Sequence, residues 1–303
     1  MSNNIFDWIA SKCVLALLLE VSTTPKPGLV DRYHDFRETY FEHFLISSLS
    51  LYSIFRKAAE TGYKRRGRGL GKIIYEGVGE MMSCQKGGNT HLGAILLISP
   101  IASASSLSKT RPLNLKSIQK NLRIVISRMD WKDTLYIFKA IKHVLPRGLG
   151  KISFLDVLNE ETYVEISKHR LSPLKALSPF IDREVIAYEW VKLYPRTMYG
   201  ATKLIENSMK MPVRDALAQT FLELLSKYPD THIVRRGGKQ LAERISFMAS
   251  RVLSLGGVRT EKGLQAIRCL DSKMRRSWRM RPGATADLLA SSIATALLSG
   301  WTP

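Results

Sequence analysis

Apolar residues recur at helical spacing along most of the chain, and this period constrains the fold more than any other feature. It runs through Ile5, Trp8, Ile9, Cys13, Ala16 and Leu17 and returns in Phe41 to Phe55, Ala216 to Leu225, Leu241 to Leu253 and Leu288 to Leu298. Spacing of this kind lays one side of a helix against a core. The two-residue alternation of strands is scarce. Breakers separate the segments at Pro25, Pro27 and Gly28, at Gly87 and Gly88, at Pro229, at Gly237 and Gly238, at Gly256 and Gly257, and at Pro282 and Gly283. Many helices joined by short glycine or proline loops are therefore expected. The fold class predicted is all-α, a single compact multi-helix domain over residues 1–303 with no internal repeat or low-complexity linker.

A hydrophobic content of 45% supports a sizeable core and excludes a wholly disordered basic tail. The 46 Lys+Arg against 26 Asp+Glu leave a net charge of +20, which draws polyanions. Nucleic acid is one such partner, but no RNA- or DNA-recognition module is visible, so it is not favoured. Apolar runs such as Val14 to Leu19 and Leu92 to Ile98 fall well short of the roughly 20 residues of a membrane span. Residues 1–20 lack the basic start and small-residue cleavage site of a signal peptide, so the expected location is cytoplasmic. Cys13, Cys84 and Cys269 form no C-x-x-C pair and are expected to be free thiols. Gly67, Gly69, Gly71 and Lys72 suggest a phosphate loop, but Arg66 stands where the Walker pattern needs glycine, and no Ser/Thr follows Lys72. A Gly-Leu-Gly-Lys string recurs at Gly148 to Lys151, also without the required flanks.

Four polar islands each set charged or polar residues in a glycine or proline turn against an apolar helix. In the first, Glu20 to Asp31, Glu20 continues the face of Ile9, Cys13 and Ala16. Desolvation there would raise its pKa and make it a better proton acceptor, while Lys26 is fixed between prolines. The second, Lys86-Gly87-Gly88-Asn89-Thr90-His91, offers a cap and an anion seat before Leu92 to Ile98. The third, Asp230 to Gly238, combines a carboxylate with Arg235 and Arg236, suited to a polyphosphate. In the fourth, Arg281 to Ala290, Thr285 is expected to cap the last helix with Asp287 in its first turn. Each island also has an ordinary structural reading as a capped helix end or a solvated loop.

In this order the islands resemble the triphosphoribosyl-dephospho-CoA synthase family. LEVSTTPKPGLVD, Leu19 to Asp31, is similar almost letter for letter to the family's E-V-x-x-T-P-K-P-G-L-V-D signature. GGNTHLGA at Gly87 to Ala94, DTHIVRRGG at Asp230 to Gly238 and RPGATADLLA at Arg281 to Ala290 resemble further family blocks. The chain also departs from the pattern. Leu92 stands where lysine is common, His232 replaces asparagine after Asp230-Thr231, and His34 and Asp35 are a compressed remnant of a longer cluster. The basic runs Lys64, Arg65, Arg66, Arg68 and Lys273, Arg275, Arg276, Arg279, Arg281 are not demanded by the signature.

The resemblance implies a pentosyltransferase that cleaves the N-glycosidic bond of ATP and joins the triphosphoribosyl group to 3′-dephospho-CoA, releasing adenine. A diverged acceptor and N-glycosidase activity are the alternatives. It also implies a carboxylate beside the developing positive charge and a base for the attacking hydroxyl, for which Glu20 and Asp31 are the candidates. Lys26, Lys86, Asn89, Thr90, His91, Arg235 and Arg236 would hold the phosphates, and Asp35, Asp230 and Asp287 would hold Mg²⁺.

Overall fold

The regular structure is helical, as the apolar period predicts. The computed structural model describes residues 4–108, 110–144 and 155–303, and among them strand-like pairing is limited to two isolated bridges, Asp31 with His34 and Phe36 with Thr39. The first half contains α1 (Asn4–Ser22), α2 (Phe41–Ser50), α3 (Tyr52–Arg65), α4 (Leu70–Ser83), α5 (Leu92–Ser105), α6 (Leu115–Arg128) and α7 (Trp131–Val144). The second contains α8 (Glu160–Lys168), α9 (Pro173–Leu177), α10 (Val185–Lys192), α11 (Pro195–Ser208) and α12 (Val213–Lys227). It continues through α13 (Thr231–Gly237), α14 (Lys239–Ser254), α15 (Glu261–Ser272) and α16 (Gly283–Leu298), with a π-helical turn, Lys273–Trp278, following α15. The Gly148 to Lys151 string lies outside the described residues.

Two helices lack a polar face, and they form the centre. Every residue of α5 is buried, and α16 is buried from Leu288 through Leu298. A helix apolar all round has to be enclosed by others. Here α5 and α16 pack on each other inside a shell of α1, α3, α6, α11 and α12. The apolar run at Leu92 is thus a core element, and no helix among the described residues is long and apolar enough to cross a membrane. Cys13 lies in this core, Cys84 is half-buried and Cys269 is exposed, and all three are free thiols.

Pro100 interrupts α5 and has no N–H for the carbonyl of Leu96. The indole N–H of Trp190 supplies the missing donor at 3.1 Å, and the Tyr194 hydroxyl donates to the next carbonyl, Leu97, at 3.1 Å. Both side chains are fully buried, so the proline and its two aromatic donors fix how α10 and the start of α11 dock on the core. Trp190→Phe keeps most of the ring but orphans the Leu96 carbonyl, and is expected to lower stability by about 1–3 kcal/mol in urea unfolding. A denaturation midpoint equal to wild type would show that this carbonyl has another donor.

Two local features differ from the simplest sequence reading. The apolar stretch Phe41 to Phe55 is not one helix but breaks at Leu51 between α2 and α3. The serines explain the break: Ser47 and Ser48 hydroxyls donate back to the carbonyls of His43 and Phe44, at 2.7 and 2.6 Å, and such back-bonding bends helices. The glycine-rich RGRGLGK segment starts α4, but the place a phosphate would take is filled by the Asp133 carboxylate. It accepts from Gly71 N at 2.8 Å and from Asp130 N at 2.9 Å. Gly71 therefore serves the docking of α4 on α7, and Gly67 packs against Val125 of α6.

Candidate active site

One large cavity, of about 820 Å³, gathers residues from all four polar islands. Its floor is the end of α1 and the first turns of α5 and α16, contributing Glu20, Gly93 and Asp287. The 36–39 loop and the Gly87 to His91 turn form one wall, and α13 with the segment after the π-turn forms another. The remaining side is apolar, with Phe138 and Ile141 of α7 facing Leu177, Phe180 and Ile186. A polar end joined to an apolar lobe is the usual make-up of a small-molecule site.

The polar end is built on an ion pair. Lys26 Nζ lies 2.5 Å from Glu20 Oε1 and also donates to the Glu20 carbonyl at 2.7 Å, so the proline turn folds back onto the helix it follows. Lys26 is 2% exposed and Glu20 5%. Burial raises the Glu20 carboxyl above the ordinary range, and the Lys26 charge and hydrogen bond oppose that rise. Asp287 reaches the same space from α16. Burial, then the negative charges of Glu20 and Asp230, push its carboxyl well above the usual carboxylate range. It sits directly on the backbone of α5, where a Cβ at Gly93 would overlap its oxygens. Glycine in the GGNTHLGA block is therefore what admits the carboxylate.

Asp230 stands behind this wall, not in it. Its Oδ1 accepts from Ile233 N at 3.0 Å, and Oδ2 accepts from the amide and the hydroxyl of Thr285 at 2.7 and 2.8 Å. It thus caps α13 and ties it to α16. Thr285, expected as a helix cap, lies inside the first turn because α16 starts at Gly283, and its hydroxyl serves Asp230 instead. Asp31 also falls outside the cavity wall: its carboxylate accepts from Tyr33 N at 2.9 Å and pairs with His34 Nδ1 at 2.9 Å, which closes the 31–34 turn. The carboxylate that faces the cavity with Glu20 is Asp287. Asp35 is exposed and accepts from Phe41 N at 2.8 Å at the start of α2. Asp35, Asp230 and Asp287 therefore do not converge, and among the described residues no three His, Cys, Asp or Glu side chains form a metal cluster.

Of the residues expected to hold phosphates, Lys26, Asn89, Thr90, His91, Arg235 and Arg236 line the cavity, whereas Lys86 is exposed away from it. Asn89 Oδ1 accepts from Leu92 N, the first amide of α5, at 3.0 Å, while the N-cap position itself falls to His91. His91 Nε2 lies 3.0 Å from Ser48 Oγ and 3.3 Å from the Phe44 carbonyl, contacts that favour the Nε2–H tautomer. Burial lowers its pKa to about 4, so the ring is neutral at pH 7. Arg235 is ion-paired with Glu184, while its own Nε is buried without a partner. His232 was part of an island without a role of its own. It lines the cavity against Gly283, and burial, aided by Arg235, Arg236 and Arg281, lowers its pKa to about 4. Glu184 had no signal in the sequence, and the cavity-lining Arg275, Arg279 and Arg281 were visible only as a surplus of basic charge.

The chain is similar to known proteins over nearly its whole length. A "Probable 2-(5''-triphosphoribosyl)-3'-dephosphocoenzyme-A synthase" of Streptococcus equi subsp. zooepidemicus is 26% identical over 316 residues, covering 98% of this chain and 99% of that one. The 2-(5''-triphosphoribosyl)-3'-dephosphocoenzyme-A synthase of Pectobacterium atrosepticum is 26% identical over 285 residues, 91% of this chain and 84% of that one. A crystal structure from Archaeoglobus fulgidus, assigned to triphosphoribosyl-dephospho-CoA synthase, superposes with a TM-score of 0.67 at 25% identity, covering 85% of this chain and 100% of that one. A family model matches residues 6–303. With every motif block inside that match and all four contributing to the lining of one cavity, the chain belongs to the ATP:dephospho-CoA triphosphoribosyl transferase family.

Proposed function

We propose that this transferase moves the triphosphoribosyl group of ATP to a ribose hydroxyl of 3′-dephospho-CoA and releases adenine. The observation that carries this reading is the pairing, in one cavity, of the Glu20 and Asp287 carboxylates with the arginines of α13. Breaking the bond between ribose C1′ and adenine N9 builds positive charge on the sugar, which nearby carboxylate stabilises. The raised Asp287 carboxyl supplies a proton to the departing adenine. The acceptor oxygen then bonds to C1′ and its proton passes to Glu20, held in place by Lys26. Proton return from Glu20 to Asp287 restores the site. The unpartnered Nε of Arg235, together with Arg236, suits the triphosphate, and the apolar lobe suits the pantetheine arm.

Mg²⁺ fits as an ion carried by the triphosphate. It would be held mainly by phosphate oxygens and water, and the carboxylates on the cavity wall besides Glu20 and Asp287 are Glu38, Asp156 and Glu184, each already engaged within the protein. When bound, it would offset phosphate charge.

Mass spectrometry of protein, ATP, Mg²⁺ and 3′-dephospho-CoA, with each omitted in turn, tests the reading. Adenine and triphosphoribosylated dephospho-CoA should appear together and only in the full mixture. Adenine formed without dephospho-CoA would replace the transferase by a hydrolase, and unchanged ATP and dephospho-CoA would defeat both.

A further inference from the structure

The basic run after α15 exceeds what the motif blocks contain, and its arginines differ in what they touch. Arg275 Nε contacts both oxygens of Asp271, at 2.8 and 2.9 Å, and its guanidinium donates to the Leu29 carbonyl, so it fastens the proline turn from below. Arg281 lies over the Phe36 ring, 3.4 Å from its centroid. Arg279 lines the cavity, is exposed, and among the described residues has no carboxylate within ion-pair distance. The next residue, Met280, packs its methyl against Gly237, where a Cβ would come within 3.0 Å, and this sets the segment beside the end of α13 that carries Arg236. Arg236 is likewise exposed on the cavity wall and without an ion-pair partner among the described residues.

The backbone of Arg279 makes its side chain hard to explain structurally. Its φ is +53°, and its N–H donates to the Met274 carbonyl to close the π-turn. That left-handed capping position is one that glycine fills without strain. Arg66 closes α3 in nearly the same way, with φ +51° and its N–H on the Gly62 carbonyl, but it lies away from the cavity. The conformation alone therefore does not mark a site. What sets Arg279 apart is a second guanidinium without a counter-charge beside Arg236, at a cavity wall where His232 already stays neutral among arginines.

We propose that Arg279 is a polyphosphate contact of a nucleotide substrate, acting with Arg236. The proposal rests on the transferase reading for the identity of that nucleotide. Calorimetric titration of wild type, Arg279→Gly and Arg66→Gly with ATP, 3′-dephospho-CoA and inorganic tripolyphosphate tests it. Arg279→Gly should keep a thermal midpoint no lower than wild type, because glycine suits the backbone. It should bind at least one nucleotide about ten-fold more weakly or worse, the scale of one charge-assisted contact. Arg66→Gly should keep both midpoint and affinities. A loss for ATP identifies the triphosphate, and a loss for dephospho-CoA identifies its diphosphate. Arg279→Asn, another residue tolerant of this conformation, must show the same loss. Wild-type affinity of Arg279→Gly for all three ligands overturns the proposal. If wild type binds tripolyphosphate through Arg279 but neither nucleotide, the transferase reading fails while the anion contact stands. If wild type binds none of them, both fail.

Discussion

Lys26→Met is expected to destabilise the protein by about 3–5 kcal/mol, the cost of leaving one member of a buried ion pair without its partner. The ammonium is held by the Glu20 carboxylate at 2.5 Å and the Glu20 carbonyl at 2.7 Å, and neither side chain is more than 6% exposed. Removing the lysine takes away the charge and the donor that oppose the burial-driven rise of the Glu20 pKa. Glu20 must then take up a proton or draw water into the core. Lys26→Met combined with Glu20→Gln should recover most of the loss, since replacing both charges removes the uncompensated one. Urea unfolding at pH 7 measures both variants. A single variant as stable as wild type would mean that cavity water already solvates Glu20, and the ion pair would lose its structural importance.

Glu20 and Lys26 were legible in the sequence because the same short segment supplies both. The apolar face of α1 predicts the burial of Glu20, and the prolines around Lys26 restrict the turn that brings it back. The central helices were legible for a similar reason: an unbroken apolar segment such as Leu92 to Ile98 has one place to go. Pro100 reads as a stop, however, because the donors that let α5 pass through it lie about 90 residues further on, at Trp190 and Tyr194. The serines after Phe44 read as neutral in an apolar period, yet their local hydrogen bonds divide it. Asp31 and Asp287 pose the hardest choice. Each is an acid in a breaker turn beside an apolar helix, and local pattern gives both the same standing. Long-range packing separates them. Tyr33 and His34 occupy Oδ1 of Asp31 and the Thr24 hydroxyl donates to its Oδ2, whereas the missing side chain of Gly93 opens the floor to Asp287. The metal expectation met the same limit, since Asp35 and Asp230 are occupied by amides that sequence spacing alone does not reveal.

Asp287→Asn is expected to reduce turnover by about 10²–10⁴-fold, the range typical of a lost general acid. Asparagine preserves the size of the side chain on Gly93 but carries no transferable proton. The sign of the pH dependence follows from the raised carboxyl. A group that works protonated is competent below its folded-state pKa, so the wild-type rate should fall tenfold per pH unit above that pKa, while the need for an ionised Glu20 sets a separate acidic limb. The alkaline limb should vanish in the variant. Mg²⁺ dependence decides between this role and the metal role that the sequence suggested, because coordination requires the ionised carboxylate and would draw the pKa down. Unchanged half-saturation by Mg²⁺ in Asp287→Asn supports the acid. Recovery of turnover at high Mg²⁺, with the alkaline limb retained, would transfer Asp287 to the metal and leave Glu20 as the only proton carrier on the cavity floor. Turnover within about threefold of wild type would remove Asp287 from the chemistry altogether, since a lost acid or ligand acts on a larger scale.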